Sequence, residues 1–212
     1  MQPKYEWRKK EKAIYLPKSK PEVIDVPEFN FITIEGEGSP AESLFTENIG
    51  ALYSLAYTIK MILKRMDTPP NGYFDFTVYP LEGVWDINDE AKTNFNGVIN
   101  KHDFVYKLMI RQPDFVDEFF FGEMLAVAKE KKKNPLLEKL RFERYSEGLC
   151  VQMLHLGPFE DEPASFEKME IFAQDEGLVR ISKVHREIYL SDTRKVAPEK
   201  LKTVLRFRAK RT

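Results

Sequence analysis

A single cysteine, Cys150, excludes an intrachain disulfide framework and fits a reducing compartment. No run of eighteen apolar residues occurs, so the sequence encodes no helical membrane span. The opening MQPKYEWRKKEKAIYL lacks the apolar core of a secretory signal, and a cytoplasmic location is the expectation. His102, His155 and His185 show neither HxH nor HExxH spacing and have no cysteine pair beside them. No metal and no cofactor are therefore expected. There is no G-x-S-x-G elbow, no phosphate loop and no G-x-G-x-x-G; the acids of Glu35-Gly36-Glu37-Gly38 would repel phosphate. Lys and Arg (33) nearly cancel Asp and Glu (34), giving a net charge of −1, without the basic footprint of a nucleic-acid binder.

What is present is core-forming material. Hydrophobic residues make up 42% of the 212 positions and aromatics 13%, which excludes low-complexity disorder. The length suits one large domain or two small modules with a shared core.

Residues 1–20 are charged and read as a peripheral arm, packed through Tyr5, Trp7 and Tyr15. EFNFITIEGEG (28–38) alternates and reads as a strand. Ser39, Pro40 and Glu42 form a capping-box signature for the helix that follows. Its apolar stripe runs through Phe45, Ile49, Leu52, Ala56, Ile59, Leu63 and Met66. After the PPNG break, YFDFTVYPLEGVW (73–85) reads as a second strand and DINDEAKTNFNG as a loop. Residues 103–112 read as a third strand. A helix over 114–133 is capped by Asp114, and lysines fill its last turn as a solvated, dipole-complementing end. Two strands turning at Ser146–Gly148, a helix over 160–177 closed by Gly177, and strands at 184–192 and 204–210 complete the chain.

The order strand–helix–strand–strand thus occurs twice. IEGEGSPAES (34–43) and LGPFEDEPAS (156–165) are weakly alike at the strand-to-helix junctions. A parallel βαβ sheet is the alternative. Antiparallel pairing is preferred, because the second and third strands of each half have no crossover helix between them.

HREIYLSDTRKVAPEKLKTVLRFR (185–208) resembles the closing motif of GyrI-like proteins, with Thr193 where that motif often has proline. VPEFNFITIEGEGSPAES (26–43), FDFTVYPLEGVWD (74–86), MIRQPDFV (109–116) and EGLCVQMLHLGPFEDEPASF (147–166) resemble, in order, one stand-alone subfamily of these proteins, the cyclopropanoid cyclopropyl hydrolases. The resemblance implies an α+β fold of duplicated βαββ modules about a pseudo-twofold axis. Its antiparallel sheet carries helices on one face and a ligand groove on the other. The expected boundaries are an arm at 1–20 and a GyrI-like domain at 21–212. Within the domain, module one spans about 21–113, module two about 138–212, and a linking helix about 114–133. The implied ligand is a flat aromatic or cationic small molecule. The implied state is a monomer or homodimer.

Within that frame Glu187 is the catalytic candidate. Ile188 and Leu190 are assigned to the helix-covered face, so alternation puts His185, Glu187 and Tyr189 on the groove face. A carboxylate between apolar walls needs a cation, a donor or water, the situation of a general base. The structural alternative is an exposed strand glutamate paired with Lys183. Tyr79 and Trp85 are expected to line the groove and its rim, with Tyr145, Phe159 and Tyr189 as further cage rings. For any one of them taken singly, ordinary core packing is the favoured explanation. Phe119, Phe120 and Phe121 cannot all face a core, and Phe120 is kept as a ligand contact. Glu82 is a second carboxylate expected near the rim. His155 is read as a structural strand-end histidine. Three functions follow: a hydrolase of cyclopropane-bearing DNA-alkylating compounds, a non-catalytic sensor or sequestering protein, and a gyrase-modulating interaction module.

Overall fold

The computed structural model describes residues 4–212; positions 1–3 of the expected arm lie outside the described residues. In chain order the elements are α1 (Trp7–Lys10), α2 (Lys12–Tyr15), β1 (Glu22–Val26), β2 (Phe29–Glu37), α3 (Ser43–Leu63), β3 (Leu81–Ile87), α4 (Asp89–Thr93), β4 (Phe104–Gln112), α5 (Glu118–Lys131), β5 (Arg141–Tyr145), β6 (Gly148–Leu156), α6 (Glu162–Asp175), β7 (Leu178–Arg180), β8 (His185–Tyr189) and β9 (Lys202–Arg211). The class is α+β, and the strand–helix–strand–strand order recurs as β2-α3-β3-β4 and β6-α6-β8-β9.

The chain divides into two compact units. The first holds residues up to Glu6, Phe29–Leu81 and Asp86–Tyr145; the second holds Trp7–Glu28, Glu82–Trp85 and Ser146–Thr212. Strand pairing, not chain order, assigns the segments to the units. β1 hydrogen-bonds along β6 and so belongs to the second unit, while β5 pairs with β2 and belongs to the first.

In the first unit β2 lies between β4 and β5, antiparallel to both. α3 packs on β2 and β4 through Leu52, Leu55, Ala56, Ile59 and Leu63, all essentially inaccessible. Each leucine or isoleucine among them contributes about 1.5–3 kcal/mol by leaving water, which outweighs the modest propensity penalties of the Tyr, Thr and Gly residues in the same helix. Gly36 of β2 stands opposite Tyr106 of β4, and the phenol ring occupies the space where a side chain would be.

In the second unit β6 and β8 flank β9, antiparallel to it; β1 extends the β6 edge, β7 pairs with the far end of β9, and β8 neighbours β3. α6 closes the core formed by Val151, Met153, Met169, Ala173, Leu205 and Phe207. Gly177, at φ +67°, ends that helix in the left-handed conformation that favours glycine.

Several boundaries are corrected. The second strand begins at Leu81, not residue 73. Residues 73–80 are extended but irregular, held by an isolated bridge between Tyr5 and Phe76. The expected loop contains α4, capped by the Asn88 side chain. The capping-box bonds form, with Ser39 N–H on Glu42 and Ala41 N–H on Ser39 Oγ, yet the helix proper starts four residues later. Asp117, not Asp114, caps α5. Two strands, β1 and β7, were not expected, because five- and three-residue strands carry too little alternation to register.

Candidate functional site

β8 supplies the centre. His185, Glu187 and Tyr189 do share one face, as alternation requires, but it is the face that α6 covers. Glu187 lies opposite Leu205, a member of the α6 core, and His185 meets the α6 ring of Phe166 at 4.7 Å. The assignment of Ile188 to the helix-covered side is therefore reversed. The opposite side of β8 carries Arg186, which faces Arg206 across the pairing. Two guanidinium groups there need carboxylates, and they have them. Arg186 reaches Glu82 at 2.7 Å and Glu147 at 3.2 Å; Arg206 reaches Glu147 at 2.9 Å, Gln152 and the Ile14 carbonyl. Burial opposes the charge on Glu147, but the two arginines outweigh it and draw its carboxyl below the ordinary range. Glu82 is thus not a rim carboxylate. It is 1% exposed and accepts a hydrogen bond from Arg186; burial raises its carboxyl above the ordinary range, against the pull of Arg186 and Arg206.

Around Glu187 the second unit gathers a polar cluster inside an aromatic frame. Trp85 Nε1–H donates to Tyr189 Oη at 2.8 Å. Tyr189 in turn hydrogen-bonds Glu187; burial first, then the Glu187 charge, hold its hydroxyl well above the usual tyrosine range. His185 Nε2 lies 3.2 Å from Glu187 Oε1. Phe159 meets the Tyr189 ring edge-on at 6.1 Å and is the most exposed member.

The sequence reading missed Glu162. It is the first residue of α6, 6% exposed, and hydrogen-bonded to Glu187, itself 8% exposed. Burial, then the adjacent Glu187, push Glu162 up to about 10. The helix N-terminus favours a negative charge there by about 0.3–2 kcal/mol. Withdrawing a carboxylate from water beside another carboxylate costs several kcal/mol, so the neutral form wins. At neutral pH Glu162 keeps its proton. In the sequence, a glutamate before Pro163 at a helix start reads as an ordinary dipole-complementing acid; only the fold sets it against Glu187.

Two contacts of His155 hold this corner. His155 Nδ1 lies 2.9 Å from Ser165 Oγ, and His155 Nε2 lies 3.0 Å from the Pro158 carbonyl. They fix the turn that carries Phe159 and Glu162, a structural role as expected.

Tyr79, Tyr145 and Phe120 belong to the other unit. Tyr79 is buried, not groove-lining, with the Arg111 guanidinium 4.7 Å from its ring centroid and 3.3 Å from that of Phe29. Tyr145 is half-buried at the end of β5, opposite Phe29. Phe120 and Phe121 are buried; the outward ring of the three is Phe119, at 76% exposure. Among the described residues no group of His, Cys, Asp and Glu is arranged to hold a metal ion, and no helix is long and apolar enough to cross a membrane.

Residues 19–210 match the family model described as a GyrI-like small molecule binding domain. The chain is 38% identical to the crystal structure of a hydrolase from Listeria innocua, over 98% of this chain and 100% of that one, with a TM-score of 0.86. A second Listeria innocua hydrolase structure is 39% identical with the same coverage and a TM-score of 0.87. The EcmrR C-terminal domain, at 11% identity, 91% and 98% coverage and a TM-score of 0.54, is alike in fold alone. No protein of curated function matches.

Proposed function

Since this chain belongs to the GyrI-like small-molecule-binding family, we propose that it binds flat aromatic compounds and hydrolyses those bearing a strained cyclopropane conjugated to a dienone. The observation that carries the reading is the buried pair Glu162–Glu187, set beside the hydrogen-bonded Trp85 and Tyr189. One carboxyl that keeps its proton next to one that accepts it is the pairing that acid–base chemistry uses. The likeness to a hydrolase across the whole chain points the same way.

In this reading Glu187 takes a proton from water as the water oxygen bonds to the cyclopropyl methylene carbon. The ring C–C bond breaks, and its electron pair moves through the dienone to the oxygen, which takes up a proton and becomes a phenol. The net change is the addition of one water. Trp85, Tyr189 and Phe159 supply flat faces and edges for the aromatic body, holding it for attack. Glu162, by retaining its proton, keeps Glu187 the acceptor of the pair.

The test is incubation of the purified protein with a cyclopropane-bearing alkylator, followed by liquid chromatography–mass spectrometry. A product heavier by one water is expected, falling about a hundredfold or more in Glu187→Gln. Unchanged compound that co-elutes with the protein would replace hydrolysis with sequestration or sensing. Full turnover in Glu187→Gln would remove the glutamate from the mechanism.

A further inference from the structure

We infer that the outer face of α3 and the end of α5 form a second small-molecule site, one that takes aromatic organic anions. The site lies wholly in the first unit and is independent of the glutamate pair.

Beside its core stripe, α3 carries a second stripe at helical spacing through Tyr53, Tyr57 and Met61, which core packing does not explain. Tyr57 is 52% exposed and Met61 39%. The Tyr53 and Tyr57 rings lie 6.2 Å apart at an interplanar angle of 31°, making a slanted aromatic shelf. This shelf is one wall of a groove of about 450 Å³. Gly50 lies at the same groove, and a side chain there would meet nothing within 4 Å, so the glycine leaves space. A mid-helix glycine costs about 1 kcal/mol relative to alanine. The Ser54 hydroxyl, also lining the groove, is buried and has no hydrogen-bond partner.

The other boundary is cationic. Arg65 follows α3, while Lys131 and Lys132 close α5; all three line the groove and none is in an ion pair among the described residues. No acidic residue lines it. Lysines at a helix end complement the macrodipole, but each helix end carries only about half a negative charge. Three full positive charges against two such ends leave the groove net positive by roughly two charges. A flat ring over tyrosines with its charge toward Arg65 and the lysines fits this arrangement; a flat cation does not.

The test uses the full chain, isotope-labelled, with naphthalene-2-sulfonate as probe and a naphthalene carrying an ammonium group as control. Saturable amide shifts are expected along the outward positions of 50–65 and at 131–132, weakening as salt is raised. Affinity should fall about tenfold in the Lys131→Gln/Lys132→Gln double variant, and also in Tyr57→Ala. These side chains are exposed, so the variants should fold. The inference is overturned by equal binding of the ammonium compound, by shifts mapping elsewhere, or by no saturable shift. Concentration-dependent broadening of the same amides without probe would also overturn it, making this face a contact between copies of the chain.

Discussion

Replacing Glu162 by Gln should stabilise the protein at neutral and alkaline pH. The Glu162 carboxyl titrates at about 10 when folded, against an ordinary 4.5. Below pH 4.5 both folded and unfolded chains hold the proton, and the native state carries no penalty. Above it the unfolded chain releases the proton and the folded chain does not. Each pH unit in that window therefore costs the native state about 1.4 kcal/mol, until the folded group also ionises. By pH 7 the loss sums to roughly 3 kcal/mol, an upper bound. Glutamine has nearly the same volume, still donates to Glu187, and has no proton to lose. The variant should exceed the wild type by about 1–3 kcal/mol at pH 7, which is about 2–4 °C in Tm per kcal/mol for a chain of this size. The assay is urea denaturation of both proteins from pH 5 to 9. The gap should widen with pH and close toward pH 4.5. A gap independent of pH, or a variant less stable than the wild type at pH 8, would refute a proton retained on buried Glu162.

Gly36→Ala should destabilise the first unit by about 1–3 kcal/mol, since a Cβ would come 2.5 Å from the Tyr106 ring; thermal unfolding reads this, and Tyr106→Leu in the same chain should recover part of it. Arg206→Met leaves Glu147 short of a buried partner and should cost about 3–5 kcal/mol in chemical denaturation; adding Glu147→Gln should be less damaging than the sum of the two changes. Trp85→Phe keeps the ring but removes the N–H on Tyr189, so stability should drop by only about 1 kcal/mol while turnover falls several-fold, measured by steady-state kinetics at matched folded fraction.

The long elements were legible because their patterns are local. The stripe of α3 and the alternation of β2 announce a helix and a strand whatever surrounds them. The same locality misplaced β3. YFDFTVY is aromatic and alternating, but Phe74, Phe76 and Phe115 pack as a ring cluster in an irregular segment, and the ladder begins only at Leu81. Alternation grouped His185, Glu187 and Tyr189 on one face correctly. It carried no information on which side α6 lies, because a strand's two faces are equivalent until something packs on one.

What the sequence by itself determined is the class, the repeated strand–helix–strand–strand order, the absence of disulfide chemistry, and Glu187 with Trp85, Phe159 and Tyr189 as a cluster worth testing. Tertiary structure alone decided that Glu162, 25 positions before Glu187, is buried against it and keeps its proton, and that Glu82 answers Arg186 instead of a ligand. Propensity and periodicity reach only a few residues along the chain. The properties of a carboxylate depend on burial and on charges within a few ångströms, and those neighbours are brought together by the pairing of β8 with β9 and the packing of α6 upon it.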